Sequence, residues 1–183
     1  GNCDELPATE ETVCKPTGFY SITKKCAEDL LISYCNTFNI KYRIIRLCNV
    51  YGKSDKFSKQ KNALQYLIER LKRDEDIELY FGGDFIRDYM NVYDVCRAIK
   101  TITEMGSDNI SINVGCGMPL RFRDLIDIAY KTLNSKSKII SVEQPAFHKI
   151  VQVKDMWLNS DKLKALGFKQ EIDIETGIRE LCK

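Results

Sequence analysis

The chain holds one histidine, four prolines and ten glycines in 183 residues, and no apolar run of membrane-spanning length. A single imidazole excludes metal centres built on several histidines. A Ser-His-Asp arrangement would have to use His148, which lies in a Pro/Ala/Phe stretch with no nucleophile elbow. Without about 20 consecutive apolar residues no helix crosses a bilayer, and residues 1–20 lack the basic start and apolar block of an export signal. The 28 basic and 26 acidic residues nearly cancel, leaving a formal charge of +2, so neither nucleic acid nor an anionic membrane is expected as a partner. Also missing is a glycine-rich turn between a first strand and helix, the cradle of a dinucleotide pyrophosphate. Gly82-Gly83 is too short and precedes an aspartate. Gly115-Cys116-Gly117 follows a strand but lacks the third glycine, and reads as a plain strand-to-helix turn.

Eight cysteines are present, yet Cys3, Cys14, Cys26, Cys35, Cys48, Cys96, Cys116 and Cys182 form neither a CxxC nor a Cys-His cluster. Several stand in apolar stretches, such as Leu47-Cys48 and Val95-Cys96, where free cysteine behaves as a small hydrophobe. They read as reduced structural thiols of a cytoplasmic protein, with no metal.

Helix and strand patterns alternate. A polar opening leads to a helix from about Gly18 to Thr37 and a buried strand Tyr42 to Leu47. A loop follows, Cys48 to Lys59, then a helix near Gln60 to Lys72 and a strand Ile77 to Phe81. Beyond the Gly82-Gly83-Asp84 turn come strand Tyr89 to Val92, helix Asp94 to Glu104, strand Ile110 to Val114, helix Arg121 to Leu133 and strand Lys138 to Val142. A loop runs through Trp157 to a short helix capped by Ser160 and closed by Gly167, and a last helix covers Ile174 to Cys182. This alternation predicts an α/β fold with parallel pairing.

Tyr20 and Lys24 put a phenol and an ammonium four residues apart, one above the other on one helical face. The stripe Tyr20, Lys24, Ala27, Leu31, Tyr34, Phe38 has helical spacing and is the face expected to pack against the protein body, with Lys25, Asp29, Ser33 and Asn36 facing solvent. A lysine on a packed face is costly unless something uses it; its stem could instead pack while its head reaches water. A free tyrosine ionises near pH ~10 and is a poor base at neutral pH, but a cation held beside it favours the phenolate. Such a phenol can take a hydroxyl proton while hydride leaves the carbon.

Five segments resemble, in order, the C-terminal part of extended short-chain dehydrogenases/reductases, the NAD-dependent nucleotide-sugar epimerases and dehydratases. Pro16 to Lys24 is similar to the family's P-x-x-x-Y-x-x-x-K, Arg46 to Gly52 to R-x-x-N-x-Y-G, and Arg87 to Val95 to R-D-Y-I-H-V-D-D-V. Asn113 to Gly117 resembles N-x-G-x-G, and Asn159 to Phe168 the closing D-x-S-K-A-x-x-x-L-G-W. The resemblance implies a partial Rossmann-like doubly wound parallel sheet plus the smaller C-terminal substrate-binding lobe. Residues 1–49 and 87–116 would be the remnant of the NAD-binding domain, and 50–86 and 117–183 the nucleotide-sugar lobe. Gly1 resembles the glycine just after a strand that carries a Ser/Thr partner, so the chain is expected to start about midway through such a protein and to be inactive alone.

By resemblance, Tyr20 is the acid/base, and Lys24 holds the nicotinamide ribose and favours the phenolate; both thus also bind NAD, with NADP as the alternative cofactor. Asn49 is expected to meet the substrate diphosphate and Arg87 to clamp a phosphate, with Tyr89 assisting. Their plain alternatives are an asparagine closing a turn, an arginine paired with Asp84 or Asp88, and a packed strand aromatic. A second basic contact, usually arginine, would fall to Lys149 beside His148. The implied function is a UDP-glucose 4-epimerase-like reaction, in which the sugar 4-hydroxyl loses its proton to Tyr20 as hydride goes to NAD, and the keto intermediate is returned on the other face. A 4,6-dehydratase or decarboxylase shares the first oxidation. Of another class are a non-catalytic nucleotide-sugar binding module and a structural remnant; a homodimer through the Tyr20 helix is the expected assembly.

Overall fold

The computed structural model describes residues 3–53, 63–146 and 153–183. Its elements follow the expected alternation. They are α1 (Phe19–Thr37), β1 (Arg43–Leu47), β2 (Asn49–Tyr51), α2 (Ala63–Lys72), β3 (Ile77–Tyr80), β4 (Ile86–Arg87), β5 (Tyr89–Asn91) and α3 (Val92–Met105). After these come β6 (Ile110–Val114), β7 (Leu120–Arg121), α4 (Phe122–Leu133), β8 (Ile139–Val142), α5 (Asp161–Ala165) and α6 (Ile174–Cys182). Residues 60–62 of the helix expected near Gln60 lie outside the described residues. The strands pair two by two. β1 runs parallel to β6, β2 to β5 and β3 to β8, and β4 and β7 are antiparallel. Parallel pairs joined through helices make this an α/β fold.

Two hydrophobic clusters organise the described residues. In one, Leu64 and Ile68 of α2, Leu79 of β3, Leu125 and Ile126 of α4 and Ile178 of α6 meet, with Tyr51 and Tyr89 at its edge. In the other, Ala98 and Ile102 of α3 lie against Ile112 and Val114 of β6, together with Met90, Leu163 and Phe168. The clusters meet at β2 and β5: Tyr51 and Tyr89 point into the first, Met90 into the second, as alternation along a strand requires. Gly177 lets α6 approach that junction, because a methyl group there would overlap the buried Tyr51 hydroxyl.

Local chemistry sets the ends of the helices. The Asn91 side chain accepts the Tyr93 N–H at 3.0 Å, which starts α3 at Val92, two residues before the sequence pattern suggests. Asn134, at φ 50°, closes α4, and Asp173 caps α6 by accepting from Thr176 N at 2.8 Å. Gly167, at φ 86°, follows α5 as expected. Ser160 stands at the N-cap of α5 without capping it, since its hydroxyl donates to the Gly115 carbonyl at 2.8 Å. The segments β2, β4 and β7 are two or three residues long, too short to show a period; the sequence reads β2 as loop and places Arg121 of β7 in the helix that follows.

Three expectations are corrected. The stripe Tyr20, Lys24, Ala27, Leu31, Tyr34, Phe38 faces outward: Tyr20 is 75% exposed and Phe38 60%. The inner face of α1 is Ser21, Lys25, Glu28, Ile32 and Cys35, which put only partial burial and one fully buried thiol against the body. On that inner face Glu28 pairs with Arg46, whereas the apolar stripe finds no partner surface among the described residues. Secondly, β1 is half-buried rather than buried, because among the described residues only β6 pairs with it. Thirdly, Cys96 is exposed on α3, whose inner face is taken by Val95, Ala98 and Ile102. All eight cysteines are free thiols.

Candidate active site

The register of β2 and β5 builds the centre of the site. Asn49 lies opposite Tyr89, two residues after β1 ends at Leu47, and Arg87 precedes Tyr89 by two. Asn49 closes the junction with its own amide, which donates to the Asp88 carbonyl at 3.0 Å, and its side chain Nδ2 donates to the same oxygen at 3.1 Å. This is the turn-closing geometry, and it leaves the Asn49 amide oxygen, on an exposed residue, directed away from that bond.

Arg87 has neither of the acidic partners weighed for it. Its guanidinium donates to the carbonyls of Ile86, at 2.8 Å, and of Lys154 and Val153, and lies over the Phe85 ring with its carbon 4.9 Å from the centroid. Among the described residues it makes no ion pair. Burial lowers its pKa from the ordinary value, opposed by Tyr89 and Asp155. A half-buried guanidinium satisfied only by carbonyls keeps its full charge for an incoming anion. Tyr89 is packed, 8% exposed and stacked 6.3 Å from Phe122, and burial raises its phenol, offset by Arg87. Lys149 and His148 lie outside the described residues.

Tyr20 and Lys24 stand together on the first turns of α1, with Lys24 Nζ 5.8 Å from the Tyr20 ring centroid. The helix is tied to β1 by the ion pair of Glu28 with Arg46. No hydrogen bond or ion pair among the described residues joins Tyr20 or Lys24 to Asn49, Arg87 or Tyr89. The pair is open to whatever fills the space in front of it.

The glycine turns do not form a pyrophosphate cradle. The N–H groups of Cys116 and Gly117 point inward and donate to Asp88 Oδ1 at 3.0 Å and Oδ2 at 3.3 Å. The Asp84 N–H after Gly82-Gly83 is returned to Phe81 O at 3.0 Å. Neither glycine turn thus offers free amides to a pyrophosphate. Sequence reasoning gave Asp88 no role beyond a possible partner of Arg87. Its signal was a carboxylate inside the strand segment Arg87 to Asn91, where a charge needs partners.

Parallel strand pairs joined through helices define a Rossmann-like α/β fold. The chain belongs to the NAD dependent epimerase/dehydratase family, whose pattern its residues 1–115 match. Among its relatives are CDP-abequose synthase of Salmonella typhimurium, 30% identical over 171 residues (90% of this chain, 55% of that protein), and dTDP-glucose 4,6-dehydratase 1 of Escherichia coli, 25% identical over 188 residues (98% and 50%). The crystal structure of a UDP-glucose 4-epimerase with UDP-glucose from Thermotoga maritima superposes with a TM-score of 0.90 at 24% identity, covering 99% of this chain and 57% of that one. The chain spans about half the length of the curated relatives it matches.

Proposed function

We propose that the protein carrying this chain is an NAD-dependent nucleotide-sugar epimerase of the UDP-glucose 4-epimerase kind, acting in the cytoplasm. The observation that carries the reading is the Tyr20-Lys24 pair, presented on an open helical face in a chain of this family. NAD, when bound, supplies the hydride acceptor; NADP is the alternative. Tyr20 and Lys24 hold its nicotinamide ribose, and the Tyr20 oxygen takes the proton of the sugar 4-hydroxyl, with the Lys24 ammonium favouring the phenolate. Arg87 clamps a substrate phosphate with its fork, Asn49 meets the diphosphate through its amide oxygen, and Tyr89 supports Arg87 from the core side. Lys149 is proposed as the second basic contact. Residues 1–49 and 87–116 serve the cofactor side and 50–86 and 117–183 the sugar side.

A 4,6-dehydratase or decarboxylase would use the same first proton transfer, so the family assignment covers these outcomes equally. The 183 residues alone are proposed to be inactive, because their glycine turns offer no amides to a pyrophosphate. A second copy is proposed to dock along α1, whose exposed Leu30, Leu31, Tyr34 and Phe38 line a shallow apolar groove with Ala27. No described helix is long and apolar enough to cross a membrane. Assaying the full-length protein against UDP-, dTDP-, CDP- and GDP-sugars with NAD tests the reading. Interconversion of C4 epimers supports it, a 4-keto-6-deoxy product moves it to the dehydratase, and absence of any turnover leaves only the binding module.

A further inference from the structure

We propose that Asp88 is the positioning residue of the nucleotide-sugar site, acting through Asn49 and Arg87; this rests on the reading of those two residues as phosphate contacts. Asp88 is 1% exposed and stands between Arg87 and Tyr89. Its carbonyl accepts both the main-chain and the side-chain N–H of Asn49, at 3.0 and 3.1 Å. Its side chain accepts from four donors: Cys116 N at 3.0 Å and Cys116 Sγ at 2.8 Å on Oδ1, and Gly117 N and Leu158 N at 3.3 Å each on Oδ2.

One residue thus fastens three separate pieces of chain: the β1–β2 junction, the turn after β6, and the 153–158 segment. The last is the segment on which Arg87 lies. Arg87 forms a parallel bridge with Met156 and donates to the carbonyls of Val153 and Lys154, and Asp155 accepts the Ile86 N–H at 2.8 Å. Gly115 completes the arrangement, since a methyl group at that position would overlap Asp88 Oδ2. A buried carboxylate with every partner supplied by main chain or thiol touches no substrate. The carboxylate fixes the main chain of residue 88, whose carbonyl carries the Asn49 amide and whose neighbour is Arg87, and so keeps the two at the set spacing that a two-point diphosphate clamp requires.

The test is Asp88→Asn in the full-length protein. An amide turns one acceptor into a donor facing the Gly117 and Leu158 N–H groups while keeping the shape. UDP and dTDP are titrated calorimetrically, with circular dichroism confirming a folded variant. Asp88→Asn should weaken the nucleotide that binds by about tenfold or more, the factor of roughly one lost charge-assisted hydrogen bond. In an Arg87→Ala background the same change should cost a smaller factor, because one of the two groups it orients is gone. An equal factor in both backgrounds overturns the proposal and leaves Asp88 structural. Should Asp88→Asn fail to fold, Gly115→Ala displaces the same carboxylate and is judged by the same two factors. Absence of nucleotide binding by the unmutated protein would instead overturn the proposed function. Even then the Asn49 side-chain amide resonances decide for Asp88: they should shift in Asp88→Asn without nucleotide, and unchanged resonances overturn the proposal.

Discussion

Glu28 of α1 and Arg46 of β1 form a two-pronged ion pair: Arg46 Nε donates to Oε2 at 3.2 Å and Nη2 to Oε1, while Nη1 donates to the Glu10 carbonyl at 2.8 Å. The pair lies on the inner face of α1, opposite the exposed stripe that carries Tyr20 and Lys24. Both side chains are mostly covered, at 25% and 16% exposure, so the pair is worth about 1 kcal/mol, more than an open surface pair. Glu28→Gln should lower the urea midpoint accordingly, and a double-mutant cycle with Arg46→Gln should return a coupling of that size. A coupling near zero would mean that the apolar contacts of Ile32 and Cys35 hold α1 instead.

Arg87→Ala should weaken nucleotide-sugar binding by about 1.5–3 kcal/mol, the range for hydrogen bonds to charged groups. Arg87→Lys should restore only part, because a point charge cannot reproduce the fork. Unchanged affinity of the alanine variant in a calorimetric titration would show that the guanidinium serves only the carbonyls of residues 153 and 154.

Much of this was legible beforehand, for reasons that can be named. The long helices α3 and α4 and the β6 strand carry enough residues for their period to show. The Tyr20-Lys24 pair is a local spacing that a helix enforces. The face of α1 was not legible, because periodicity reports which residues share a side and not which side finds a partner. The fastening role of Asp88 depends on Cys116, Gly117 and Leu158, 28 to 70 residues away. Gly177 gave no sign of its purpose, which is to admit the Tyr51 hydroxyl.

Stability should decline at alkaline pH through the thiol of Cys116. Burial and then the neighbouring Asp88 push it from an ordinary 9.0 up to about 12, and burial also raises Cys48. A value raised in the folded state means that the contribution is complete below 9.0 and lost as pH climbs toward about 12. Urea midpoints measured at pH 8 and pH 10, taken as about one unit either side of the ordinary thiol value, should fall less in Cys116→Ala than in the unmutated protein. An identical fall in both would assign the pH dependence to other groups.

Self-association should run through α1. Leu31→Glu places a charge in the groove lined by Leu30, Tyr34 and Phe38, and should shift the sedimentation profile toward monomer at micromolar protein. A profile that Leu31→Glu does not move would place the contact elsewhere.

The central claim is that the Tyr20 oxygen moves the substrate proton. Tyr20→Phe in the full-length protein removes that oxygen alone, on a side chain that is exposed and packs against nothing whose loss would unfold the chain. Turnover of the nucleotide sugar should fall by at least the ~10²-fold typical of a lost general acid/base, with nucleotide-sugar affinity nearly unchanged. Turnover within a few-fold of the unmutated protein would contradict the account and require another group to carry the proton.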